Sequence, residues 1–169
     1  MRHRPQIGVA MKHHLHSLLA ALAMMAGTCA FAAPVPDSPA DDTAVHDYVL
    51  TMDKVKAYEA ADADLQAAAR SSNALRGEIR QMAHEPDATS ADLIAKFDKH
   101  PEIFAFYSKQ GLSKADAALI PVTLLPACSA AQSPELAAGM SGLVAPQQVD
   151  FCKANMSELQ SMPIFSTGQ

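Results

Sequence analysis

The stretch from residue 117 to residue 131 does more than any other to limit the folds open to this chain. It reads Ala-Ala-Leu-Ile-Pro-Val-Thr-Leu-Leu-Pro-Ala-Cys-Ser-Ala-Ala and carries no charge. An element this apolar on every side has to be buried on most sides, so the rest of the chain must wrap around it. Ser113-Lys114-Ala115-Asp116 resembles a capping box with Asp in place of Glu, which predicts a helix from Lys114 onward. Pro121 and Pro126 fall inside that helix. A proline there removes one backbone donor and crowds the carbonyl one turn earlier, at a cost of about 3 kcal/mol or a kink. The helix is therefore expected to kink or break near Pro121 and again near Pro126. The freed carbonyls of Ala117 and Val122 then need partners inside the protein, and Thr123 is the nearest hydroxyl. A strand over residues 120–125 is the poorer reading, because proline stands at both edges.

The other segments read as helices that can cover this one. Met52, Val55, Tyr58, Ala61, Leu65 and Ala68 recur at helical spacing behind Thr51, a natural N-cap. Ser71-Ser72-Asn73 interrupts or bends that helix, and a second pattern follows through Leu75, Ile79 and Met82, with Gly77 as a weak point. Thr89-Ser90 caps a short helix containing Leu93, Ile94 and Phe97. His100-Pro101 closes it and opens the next, whose Ile103, Phe104, Phe106 and Tyr107 form the densest aromatic cluster. Gly111 is placed to stop that helix in the left-handed region. Residues 132–145 read as a loop. Pro146 opens a last helix through Val149, Phe151, Cys152, Met156 and Leu159. No segment repeats at a fixed period. The fold class is all-α: a compact bundle of short helices over residues 48–165, without a domain boundary.

The N-terminal part has a different character. Residues 1–17 carry Arg2, Arg4, Lys12 and four histidines but no acid, and a short apolar run from Leu18 to Gly27 follows. Ala30-Phe31-Ala32 fits the small-x-small rule, so residues 1–32 read as a secretory signal peptide cleaved after Ala32, with Met1 or Met11 as the start. The apolar run is about half of what a membrane span needs. Ala26-Gly27-Thr28 before Cys29 makes a poor lipobox. Residues 33–47, with Pro34, Pro36, Pro39 and several Asp, read as a flexible leader. The expected location is periplasmic or secreted, with no stable membrane span after cleavage. All 18 acidic residues lie beyond Ala32, against 10 of the 13 Lys and Arg, so the mature chain carries a net charge of −8. That balance, with no Trp, excludes nucleic-acid binding driven by phosphate contacts or a stacking platform.

Loss of Cys29 with the signal leaves Cys128 and Cys152. An even count in an exported chain reads as a disulfide. No C-x-x-C is present and nothing basic singles out either thiol, so the bond is expected to be structural rather than redox-active.

A search for chemistry finds no catalytic motif. His46, His84 and His100 are far apart and lack metal-ligand spacing, and no cofactor is implied. No G-x-S-x-G or phosphate loop occurs, and Asp62-Ala63-Asp64 places two acids on different helix faces. Phe104 and Tyr107, with Met140, Met156 and Met162, are the candidates for an apolar binding surface, although core filling is the commoner role of such residues.

Leu93-Ile94-Ala95-Lys96 with His100-Pro101, then Tyr107-Ser108-Lys109-Gln110-Gly111-Leu112-Ser113, the apolar helix, and Val149-Asp150-Phe151-Cys152-Lys153 together resemble a loose group of small uncharacterised exported bacterial proteins. Val49-Leu50-Thr51 with Lys54-Val55 extends the likeness. The resemblance implies a helical periplasmic protein and brings no activity, cofactor or catalytic residue. The functional expectation is a non-enzymatic exported protein that binds another periplasmic protein, as an inhibitor, immunity partner or chaperone-like accessory. A small-ligand or metal-binding protein is the alternative.

Overall fold

The computed structural model describes residues 39–133, 135, 139–140 and 142–166. Among them are eight helices and no strand: α1 Pro39–His46, α2 Met52–Ser71, α3 Asn73–His84, α4 Ser90–Lys99, α5 Pro101–Lys109, α6 Lys114–Gln132, α7 Pro146–Leu159 and α8 Pro163–Ser166. The expected all-α class is the one found. The expected signal peptide, Cys29 and residues 33–38 lie outside the described residues.

Helix boundaries fall where short side chains can satisfy the backbone. Thr51 Oγ1 accepts from the Lys54 N–H, and Thr89 and Ser113 each form a reciprocal capping box, with Asp92 and Asp116. Ser72 serves twice. Its N–H donates to Ala69 O at the end of α2, and its Oγ accepts from the Leu75 N–H at the start of α3. Pro101 and Pro146 open α5 and α7, and Gly111, at φ +81°, takes the left-handed turn after α5.

Helix α6 is the centre of the core and packs most extensively on α7, then on α4. Its Ile120, Leu124, Ala127 and Cys128 are fully buried among Val55, Cys152 and Leu159, with Ile103 and Tyr107 in the same cluster. It runs from Lys114 to Gln132 through both Pro121 and Pro126, so of the kink or break expected at each proline the break does not occur. Each proline takes away one backbone bond. Ile120, Leu124, Ala127 and Cys128 around them are fixed in the core, and Cys128 is tied covalently to α7, so breaking the helix would expose more than it would relieve. α6 is also long and apolar enough to cross a membrane, and in this fold half of that stretch is buried inside the protein. The Cys128–Cys152 disulfide is present as expected, with Cα atoms 5.1 Å apart.

Residues 39–46, expected to belong to a flexible leader, form α1 and contact α4 and α6. The buried Gln148 explains part of this. Its Nε2 donates to Val45 O, His46 O and Tyr48 O at 2.8–3.1 Å, and its Oε1 accepts from the Ala145 N–H at 2.9 Å. A glutamine about a hundred residues downstream leaves no local trace in the sequence of α1.

Thr123 does not help the carbonyls freed by the prolines. Its hydroxyl is buried and has no hydrogen-bond partner. A buried hydroxyl without a partner carries a desolvation cost that the isosteric valine lacks. Thr123→Val is expected to raise stability by about 1 kcal/mol, read as a higher urea midpoint at unchanged slope; a lower midpoint would show that the hydroxyl is satisfied in solution.

Candidate functional site

Of the five residues expected to make an apolar surface, two are buried and three half-buried. Tyr107 is a core residue, with its ring 5.4 Å from that of Tyr58 and 5.5 Å from that of Phe97. Burial pushes its hydroxyl up to about 12. Met162 is also buried. Phe104 is half-buried, stacked at a tilt on Phe97 and covered by the Lys114 ammonium 5.5 Å from its ring centre. Met140 and Met156 are half-buried, and the Met156 sulfur accepts from Gln132 Nε2 at 3.6 Å. Among the described residues, the large apolar side chains that do face solvent are Val49, Leu125 and Leu143, on three separate segments.

A different region stands out, at the joint of α2 and α3 and along α3. No residue of α3 is fully buried. Leu75, Ile79 and Met82 form a half-buried stripe against the core. On the opposite side, Asn73, Arg76, Arg80 and His84 follow one another at three- or four-residue spacing and are all exposed. Arg70, in the last turn of α2, is exposed as well and lies close in the chain to these residues.

The arginines differ from the lysines in a way that decides their interest. All seven lysines of the described residues lie within 4.0 Å of a carboxylate: Lys54 with Asp116, Lys56 with Glu158, Lys96 with Asp87, Lys99 with Glu85, Lys109 with Asp64, Lys114 with Asp98 and Lys153 with Asp150. Arg70, Arg76 and Arg80 are the arginines of the described residues, and none is in an ion pair there. Arg76 has a structural role. It donates to Ala69 O and Arg70 O at 2.6 and 3.0 Å, satisfying carbonyls at the end of α2, and to Asn73 Oδ1. Arg80 Nε reaches only Arg76 O, at 3.4 Å. Arg70 and Arg80 thus flank Arg76 with planar donor groups that no carboxylate occupies, in a chain with a large excess of acid. Guanidinium forks of this kind suit bidentate pairing with carboxylates.

At its other end α3 is held by a buried histidine. His100, whose side chain is 2% exposed, joins α4 to α5. Its Nδ1 lies 2.8 Å from Glu78 Oε2 on α3, and its Nε2 lies 3.1 Å from Glu85 Oε1 just after α3. Neutral imidazole has one N–H, so only imidazolium donates to both carboxylates. Burial alone would push the ring's pKa down, but the bonds to Glu78 and Glu85 outweigh it and raise it. Lys99 donates to the other oxygen of Glu85 at 3.1 Å and, with His100, holds that carboxyl below its usual range. The two ring nitrogens face different carboxylates, so these three residues share no point where an ion could sit. Among the described residues no group of three or more His, Cys, Asp or Glu is arranged to hold a metal.

Compared with protein-family models, curated proteins and solved structures, the chain matches none. Three arginines within eleven residues were visible in the sequence as a local concentration of charge. Their lack of acidic partners was not, because the pairing of six of the seven lysines joins different segments of the chain.

Proposed function

We propose that this chain is an exported, non-enzymatic helical protein that binds another periplasmic protein, and that it does so through the outer face of α3 and the end of α2. The observation that carries the reading is the contrast between seven paired lysines and three arginines without a carboxylate. Arginines kept together cost a little through mutual repulsion. A partner that presents carboxylates removes this cost and gains charge-assisted bonds, so the partner is expected to offer an acidic face. The disulfide is compatible with an oxidising compartment.

The test is capture from periplasmic extract with the immobilised mature protein and with the double variant Arg70→Glu/Arg80→Glu. Both side chains are exposed, so circular dichroism and melting should be unchanged within about 0.5 kcal/mol. The wild type is expected to retain a partner that moderate salt elutes, and the double variant to bind it at least about tenfold more weakly. Equal retention by the two proteins would overturn the proposed surface.

A further inference from the structure

Three observations about α3 belong together. Its apolar stripe is only half-buried, with no residue fully inside the core. Its start is a hinge-like joint, where the single residue Ser72 ends one helix and caps the next. Its end is tied to the α4–α5 joint by one buried ring gripped from two sides by Glu78 and Glu85. The segment that follows is tied in turn by the largely buried Lys96, whose Nζ donates to Asp87 at 2.9 Å.

We infer that His100 is a proton-operated latch for α3: the helix stays docked at both carboxylates while the ring carries two protons, and loses one of its two ties when the ring gives one up. The reason is a count of hydrogens. After deprotonation one ring nitrogen keeps its N–H and the other presents a lone pair to a carboxylate oxygen about 3 Å away, with the ring itself buried and the two carboxylates partly exposed. Two acceptors facing each other in a buried site repel, and neither tautomer avoids this. Either Glu78 or Glu85 must withdraw, and both belong to α3 or its immediate continuation.

The surroundings set the direction. Glu78 faces the ring from α3 and Glu85 from the following loop, and among the described residues no other carboxylate oxygen comes within 4.0 Å of its nitrogens. From α4, Lys99 and Lys96 stand one step out, through Glu85 and Asp87. From α5, Glu102 is exposed and makes no ion pair with the ring. The folded state therefore favours the charged ring. Its contribution is complete below the ordinary histidine value of about 6.5 and is lost as pH rises through the higher value of the folded protein. The latch holds in mildly acid medium and slackens toward alkaline medium. This inference is independent of what α3 binds, and its test needs no partner.

Hydrogen exchange of the mature protein, corrected for intrinsic base catalysis, is followed by mass spectrometry from about pH 6 to about pH 9.5, with the ring titration of His100 read by NMR. Protection of residues 73–84 is expected to fall about tenfold or more as the ring titrates, while α6 and α7 keep theirs. In Glu78→Gln the side-chain amide can donate to the bare nitrogen of the neutral ring, so the step should vanish and the ring should titrate at lower pH. Constant protection of α3 across the ring titration would overturn the latch. So would loss of α3 only together with α6, a neutral ring at pH 6, or an unchanged step in Glu78→Gln.

Discussion

Replacing both Cys128 and Cys152 by alanine is expected to lower the stability of the domain by about 3.5 kcal/mol. The two residues are 24 positions apart, and that figure is the chain entropy the crosslink removes from the unfolded state when it closes a loop of this length. The native state adds to the effect. Both cysteines are fully buried, one on α6 and one on α7, in the most extensive helix pair of the fold. Removing two sulfur atoms there leaves space that the surrounding side chains fill only in part. Domains of this kind have about 5–15 kcal/mol in total, so the loss is a large share of the whole. Urea unfolding decides the matter. The midpoint should fall and the slope should rise, because an unfolded chain without a crosslink exposes more surface. Reductant alone should act slowly on the native protein, since neither sulfur is accessible without opening the α6–α7 interface. A loss below about 1 kcal/mol would show that the unlinked chain is already restricted, or that the bond strains the native fold.

What could be read from the sequence was what depends on near neighbours. Thr51, Thr89 and Ser113 cap helices because their partners lie three residues away, and Gly111 and the helix-opening prolines act on their own backbone. The disulfide was legible because only one pairing remained once Cys29 was assigned to the signal. The reading failed where a local rule met a tertiary restraint. Pro121 and Pro126 obey the rule for proline in the bonds they remove, yet α6 continues, since Ile120, Leu124 and Cys128 are held by other helices. Residues 39–46 look unstructured by composition, but Gln148 supplies donors to the end of α1 from another part of the chain. Two residues of the candidate surface lie in the core for a related reason. Tyr107 and Met162 are the right residue types for a binding patch and equally right for a core, and the local sequence pattern around them does not separate the two. The His100 latch joins residues 15 and 22 positions apart, so nothing in the spacing of Glu78, Glu85 and His100 announced it.

Asp116→Ala is expected to cost about 3 kcal/mol, far more than the loss of a helix cap. The capping box with Ser113 was legible, but the carboxylate does more. Its Oδ2 accepts from the Ser113 N–H at 3.0 Å and from Ser113 Oγ at 2.6 Å. Its Oδ1 accepts from the Tyr48 hydroxyl at 2.7 Å and from Lys54 Nζ at 2.8 Å, and the Lys54 ammonium also lies over the Tyr48 ring. One side chain thus joins the start of α6 to α2 and to the segment between α1 and α2. Partial burial alone would push this carboxyl up, but the bonds from Lys54, Ser113 and Tyr48 outweigh it and hold it well below the usual carboxylate range. The unfolded chain therefore takes up this proton first. The contribution of Asp116 is present above the unfolded value of about 3.9 and is lost as pH falls through the lower folded value. Glu59 and Asp62 act in the opposite sense, because burial raises both, so each favours the folded state as pH falls. The wild-type profile mixes these effects, and Asp116→Asn separates them. The amide keeps the shape but puts a donor among donors and cannot ionise, so the variant should be less stable near neutral pH and should lose less than the wild type between about pH 6 and about pH 3. Urea midpoints of the two proteins at both pH values give the answer directly. Parallel profiles would mean that the carboxylate is not charged against Lys54 and Tyr48 in the folded protein, and that α6 is held at its start by the serine cap alone.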